Sequence, residues 1–150
     1  MIKWKRRREH HVQLRLKYAP VPENASRFAA DIAASAAKVS GVQLDYTPDS
    51  LALVDSILDD FRADGLTGEQ LAETLFGFGC YVGEVLTRHA GGRWRATAED
   101  EQAVVGWPML IELGERRWCN PIGKAFKRLE NGPEDSLRYF YTVFSPGSSR

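Results

Sequence analysis

LTGEQLAETLFGFGCYVGEVLTRHAGGRW, residues 66–94, is the stretch whose reading decides the fold. Leu71, Leu75, Phe78, Val82 and Val85 recur at the three-then-four spacing of one helical face, and Ala72, Phe76, Gly79, Gly83 and Leu86 form a second apolar stripe beside it. A helix apolar on two faces must be covered on both, so the spacing predicts a buried central helix over residues 67–90. Thr67 with Gln70 three residues later is a capping-box pattern, and Gly91-Gly92 terminates the helix because glycine accepts the left-handed conformation.

Gly77, Gly79 and Gly83 lie inside that helix, where each glycine costs about 1 kcal/mol relative to alanine. One account is close packing, with Gly79 and Gly83 a turn apart letting another backbone approach. The other is a break at residues 77–79 that opens a ligand-sized space. Neither assigns a reaction.

On one side of the central helix the chain reads as a strand and two helices. Residues 11–18 alternate, with Val12, Leu14, Leu16 and Tyr18 on one side, as a half-buried strand does. Pro20 and Pro22 stop it. An alanine-rich helix over residues 23–40 carries Phe28, Ile32, Ala36 and Val39 inward and ends at Gly41. Thr47-Pro48-Asp49 opens the next helix, with Leu51, Val54, Ile57, Leu58 and Phe61 buried and Asp55, Asp59 and Asp60 read as a solvated face.

Beyond Gly92 the pattern changes to strands and turns. Residues 94–97 are β-prone, Val104-Val105 is a weaker candidate, and residues 109–113 and 116–119 flank Gly114-Glu115 as a hairpin with a two-residue type II′ turn. Asn120-Pro121 caps a helix carrying Ile122, Ala125, Phe126 and Leu129. Pro133 starts a last one with Leu137, Phe140, Tyr141 and Phe144 inward. These elements add up to a single α+β domain over residues 11–145, preceded by a basic arm, residues 1–10, and followed by a flexible tail, residues 146–150.

Composition supports one ordinary globular unit: 150 residues, 43% hydrophobic and 11% aromatic, are enough for a real core. No apolar run reaches the roughly 20 residues of a membrane span, and no signal-peptide core follows the basic start, which places the chain in the cytoplasm and off the membrane. Cys80 and Cys119 are too few for a disulfide framework and are expected as reduced, buried thiols. A net charge of zero hides an asymmetry. Residues 1–17 hold seven Lys or Arg against one Glu, and residues 23–84 hold eleven Asp or Glu against three Lys or Arg. The basic arm has the composition to bind phosphates, but the acidic middle of the same chain is also available to it.

Candidate residues fall into two groups. Glu84, on an otherwise apolar helix, either faces outward or pairs with Arg88 at the i, i+4 spacing, and His89 sits where the helix dipole favours an imidazolium. Arg93 and Trp94, then Arg116 and Trp118, interleave charge and indole on two strands, the residue types that dominate binding hot spots. Alternation also allows the tryptophans to point inward as core. No metal-ligand spacing, phosphate loop or dinucleotide fingerprint is present, so no cofactor is expected. Cys80 has no base within reach, His89 being about 13 Å along the helix at 1.5 Å per residue.

The run FGCYVGE at residues 78–84, RHAGGRW at 88–94, Asn120-Pro121 with Lys124, and ENGPEDS at 130–136 resembles a family of small actinobacterial proteins of unknown function. The resemblance spans residues 45–145 and implies a compact α+β domain in which a glycine-bearing helix leads through Gly-Gly-x-Trp into a short sheet. It carries no catalytic residues. The leading expectation is a non-enzymatic protein-interaction module of the immunity or regulator kind, its acidic helix suited to a basic partner. Two alternatives stand beside it: nucleic-acid binding through the basic arm, and a small-ligand or enzyme domain around Glu84, Arg88 and His89.

Overall fold

The computed structural model describes residues 2–5 and 11–146. The remainder of the basic arm, residues 1 and 6–10, and the tail from residue 147 lie outside the described residues. Two strands, β1 (Ile2–Lys5) and β2 (His11–Leu14), pair antiparallel as a ribbon. Helices α1 (Ala25–Ser35), α2 (Ser50–Ala63) and α3 (Ala72–His89) follow. Then come strand β3 (Arg93–Ala96), the short helix α4 (Gln102–Val105), strands β4 (Met109–Glu112) and β5 (Trp118–Cys119), and helices α5 (Pro121–Asn131) and α6 (Leu137–Phe144). Strands β3, β4 and β5 form one antiparallel sheet in that order, with Trp94 across from Ile111 and Glu112 across from Trp118. The fold is α+β, as its sequence pattern predicts.

The central helix is α3, buried along both of its stripes. Thr67 and Gln70 do form the reciprocal capping pair, Thr67 N–H to Gln70 Oε1 at 2.9 Å and Gln70 N–H to Thr67 Oγ1 at 3.3 Å. They close a turn that precedes the helix proper. Gly77 and Gly79, two residues and about 200° apart around the axis, face opposite neighbours. A Cβ on Gly77 would sit 3.1 Å from Ile32 Cβ of α1, and one on Gly79 would overlap the Cα of Ile122 at the start of α5. The glycines are contact points where two other helices touch the α3 backbone, and the helix runs through them unbroken.

An aromatic row ties the layers together. Phe28 of α1 meets Phe76 of α3 edge-on at 5.0 Å, Phe76 meets Trp107 at 6.0 Å, and Trp107 stacks on Phe126 of α5 at 4.8 Å. Such pairs add about 0.5–1.5 kcal/mol each beyond their buried area. Trp107 is deeply buried, whereas Trp94 and Trp118 are half-buried at the edge of the core.

Several expectations are corrected. Regular strand pairing stops at Leu14, although outward and inward exposure goes on alternating to Tyr18. Val39 is 82% exposed, because the last turn of the first helical segment, Ala36–Ser40, widens to a π-helix and rotates it out of register. Val104-Val105 belongs to the helical turn α4, closed by Gly106 in the left-handed region, and pairs with no strand. The hairpin loop has three residues: Leu113 N–H bonds to Arg117 O at 2.8 Å, which leaves residues 114–116 as the turn, with Gly114 at φ +82° and Arg116 at φ +59°.

The acidic face of α2 is the largest correction. Asp55 is buried. It accepts from Arg128 Nε at 2.9 Å, Ser136 Oγ at 3.0 Å, Leu137 N–H at 2.8 Å and Arg138 N–H at 3.2 Å. One carboxylate thereby neutralises an arginine that is 2% exposed and caps the N-terminus of α6. Asp59 takes the same guanidinium at 2.8 Å while staying exposed, and Asp60 is exposed as read. No helix among the described residues is long and apolar enough to cross a membrane.

Candidate functional site

Four of the sequence candidates, Glu84, Arg88, His89 and Trp94, come together where α3 ends. Gly91, at φ +73°, reverses the chain after the helix, and Gly92 N–H closes the turn on Leu86 O at 3.1 Å. Strand β3 then runs back beside α3, and its Trp94 indole lies on Gly83. A Cβ there would fall 2.5 Å from the ring's Cη2 and 2.7 Å from Cε2. The notch made by Gly83 is filled by this ring, and its Nε1–H donates to Glu84 Oε2 at 3.0 Å.

Glu84 is 8% exposed, neither facing water nor enclosed in a cavity. A buried carboxylate needs a partner, and it has two: the Trp94 indole, and Arg88 one turn on at 4.0 Å. The Arg88 guanidinium in turn lies over the Tyr46 ring, 3.6 Å from its centroid. His89 Nε2 lies 2.9 Å from the backbone oxygen of Tyr46, so that nitrogen carries the proton and donates.

Tyr46 is the residue the sequence pattern did not single out. It sits at φ +65°, a left-handed conformation that costs a non-glycine residue free energy. Both its backbone groups are engaged, the oxygen by His89 and the N–H by Tyr81 Oη at 2.8 Å. Donor bookkeeping then orders the remaining protons. Ser50 Oγ donates to Thr47 O at 2.6 Å, so Tyr81, which accepts from Tyr46, donates to Ser50 Oγ at 2.6 Å. Burial raises the Tyr81 phenol above its ordinary value, which keeps it a donor at neutral pH. The αL kink of Tyr46 left no signal in composition or spacing; Asp45 with Thr47, whose hydroxyl and N–H both bond to the Asp45 carboxylate, was the local hint of a tight turn.

Arg93, Arg116 and Trp118 stay outside this cluster. On β3 and β4, Glu112 takes Arg93 on one oxygen and Arg95 Nε at 3.0 Å on the other. Arg95 also forks onto Glu101 at 2.9 and 2.8 Å. The Arg95 hydrogen bonds, with the Ala98 N–H behind them, hold the Glu101 carboxyl down to about 2. Arg116 stands exposed at the hairpin tip with no hydrogen bond or ion pair among the described residues. Its neighbour Arg117 turns to α6, donating to Val143 O at 2.9 Å and lying 5.4 Å from the Phe144 ring.

Cys80 and Cys119 are free and buried. Burial, with Glu84 nearby, pushes the Cys80 thiol well up, and burial raises Cys119 to about 12. Among the described residues no group of three or more His, Cys, Asp or Glu is placed to hold a metal ion. An open groove of about 230 Å³ lies over Gly77, lined by Phe28, Ile32, Arg15, Lys17, Asp31 and Glu73 among others.

A family model described as a family of unknown function, DUF6278, matches residues 1–113. The chain belongs to this family. No curated protein and no solved structure matches it. The part of the DUF6278 chain that matches contains the whole Glu84–Arg88–His89–Trp94 cluster, Tyr46 and Tyr81, and stops at the end of β4. The Asn120-Pro121 and ENGPEDS motifs, with α5, α6 and Arg128, lie beyond it.

Proposed function

We propose that this DUF6278 chain is a non-enzymatic protein-interaction module whose contact surface is the outer face of α6 with the adjoining β4–β5 hairpin. The observation that carries the reading is the pair Tyr139, 65% exposed, and Val143, 38% exposed. They stand one helical turn apart on a short helix held in place from behind by Asp55. Exposed aromatic and apolar side chains on a rigid element are what a partner's pocket receives. Arg117 clamps the hairpin to the end of that helix and leaves Arg116 free beside it.

The charged groups of the Glu84 cluster are engaged with one another and with Tyr46, which supports reading them as the joint between α3, β3 and the loop before α2. Of the acids that made a basic partner attractive, Asp55 is drawn inward onto Arg128, while Asp49 and Asp59 stay exposed and pair with Arg138 and Arg128 from the surface. The exposed Tyr139 and Val143 with Arg116 beside them fit an apolar partner surface with acidic flanks. Two free, buried thiols fit a cytoplasmic setting.

The test is affinity capture from a native-host lysate with the wild type and with Tyr139→Ser/Val143→Ser, followed by titration of the identified partner against both. A partner that binds the wild type and loses about 2 kcal/mol or more, roughly 30-fold, on the double variant supports the surface. Equal binding by both would refute it.

A further inference from the structure

At Gly77 the backbone of α3 carries no side chain, and α1 reaches it through Ile32, whose Cβ lies 3.1 Å from where a methyl on Gly77 would stand. Beside this contact the surface opens into a groove of about 230 Å³, with the apolar side chains of Leu16, Phe28 and Ile32 in its lining. The volume falls below the roughly 300–1,000 Å³ of a drug-sized pocket, which suits a molecule the size of an amino acid.

Both signs of charge border the groove, brought there by three segments: Arg15 and Lys17 after β2, Asp31 on α1, and Glu73 in the first turn of α3. Two of the four are engaged with one another. Asp31 pairs with Lys17 at 3.6 Å and accepts the Tyr18 hydroxyl at 2.9 Å. The other two are not. Glu73 Oε2 accepts the backbone N–H of Arg15 at 3.2 Å, which pins the segment after β2 to α3, and its Oε1 has no partner among the described residues. The Arg15 guanidinium has no hydrogen bond or ion pair among the described residues either. The hydroxyls of Ser35 and Thr74, which also line the groove, are likewise unbonded among the described residues. An unspent cation and an unspent anion thus border one apolar floor.

We propose that this groove binds the zwitterion of a free α-amino acid with an apolar side chain. Its carboxylate goes to the Arg15 guanidinium, whose planar fork matches two carboxylate oxygens. Its ammonium goes to Glu73 Oε1, and its side chain lies on Phe28 and Ile32, where removal of apolar surface from water favours binding. A ligand carrying only an anion would meet the Glu73 carboxylate as a like charge, and one carrying only a cation would meet Arg15 in the same way. The zwitterion answers both. The groove shares no residue with the α6 surface, so the inference stands or falls apart from that reading.

The experiment is a titration of the isotope-labelled full chain with L-leucine and with L-phenylalanine, up to about 10 mM, followed through its backbone amide NMR spectrum. Saturable shifts with a Kd of about 1 mM or below are expected, confined to the amides of residues 15–17, 28–35 and 73–77. N-acetyl-L-leucine lacks the ammonium and L-leucinamide lacks the carboxylate, and each is expected to bind about tenfold or more weakly than L-leucine. Arg15→Gln and Glu73→Gln should each weaken L-leucine by the same factor of about ten. Glu73→Gln keeps an acceptor for the Arg15 N–H, and Lys127→Gln, exposed on α5, is the control that leaves binding unchanged. No saturable shift with either amino acid, saturable shifts that map elsewhere, equal binding of either blocked analogue, or L-leucine binding unchanged in both groove variants would each overturn the proposal.

Discussion

Gly83→Ala sets two physical effects against each other inside α3. Replacing a helix-interior glycine by alanine ordinarily stabilises by about 1 kcal/mol. Here the new methyl would penetrate the Trp94 six-membered ring, with Cη2 at 2.5 Å and Cε2 at 2.7 Å. The indole has to leave, at an overpacking cost of about 1–3 kcal/mol. Its Nε1–H then loses Glu84, a hydrogen bond to a charged acceptor worth about 1.5–3 kcal/mol. The balance is a destabilisation of about 3 kcal/mol, which for a domain of this size lowers the melting temperature by roughly 6–12 °C. Circular dichroism melts and urea titrations read it directly. In a Trp94→Ala background the clash and the bond are both gone, and the same substitution should stabilise by about 1 kcal/mol. A wild-type background in which Gly83→Ala raises the melting temperature, or a shift equal in both backgrounds, would refute the reasoning.

Other perturbations follow from the same geometry. Gly79→Ala drives a methyl into the Ile122 backbone, which cannot rotate away, and is expected to lower the melting temperature more than Gly77→Ala, whose methyl meets only the Ile32 side chain at 3.1 Å. Asp55→Ala leaves the buried Arg128 guanidinium to Asp59 alone and uncaps α6, an expected loss of about 3 kcal/mol by urea titration, whereas Asp55→Leu/Arg128→Met should recover the part due to the buried charge and not the part due to the cap. The Glu101 carboxyl, ordinarily near 4.5 and held down to about 2 by Arg95, contributes stability that is fully present above about pH 4.5 and is lost as the pH falls toward 2. The melting-temperature gap between wild type and Glu101→Gln should therefore close across that window. Cys80 and Cys119 should stay unlabelled by a thiol reagent at pH 8 in the native protein and react in guanidinium, since burial raises both thiols.

The central helix, its terminating glycines and the capped α5 were legible because each rests on a local rule, whereas the last helix, expected from Pro133, starts at Leu137 after a separate 3-10 turn over Pro133–Asp135. Periodicity marked the faces of α3. Asn120 Oδ1 accepts Gly123 N–H at 3.0 Å and Ser136 Oγ accepts Tyr139 N–H at 3.1 Å, as turn chemistry requires. What escaped was set by partners far away in the chain. Asp55 reads as a surface acid until Arg128, seventy-three residues on, is folded against it. Glu84 reads equally well as exposed or buried until Trp94 supplies a donor, and Tyr46 gives no warning of its left-handed backbone until His89 and Tyr81 hold both of its peptide groups. The weak strand candidate Val104-Val105 failed for a related reason: two apolar residues carry no period of their own, and the neighbouring Gly106 decided for a helical turn.

The most direct measurement of the account is a titration of the captured partner against two variants, Glu84→Gln and Tyr139→Ser/Val143→Ser, each shown to be folded. If the Glu84 cluster is an internal joint and the α6 face the contact, Glu84→Gln leaves the affinity within about threefold, under about 1 kcal/mol, and the double variant loses roughly 30-fold. A partner that is lost on Glu84→Gln and kept by the double variant would contradict it and move the site to the end of α3.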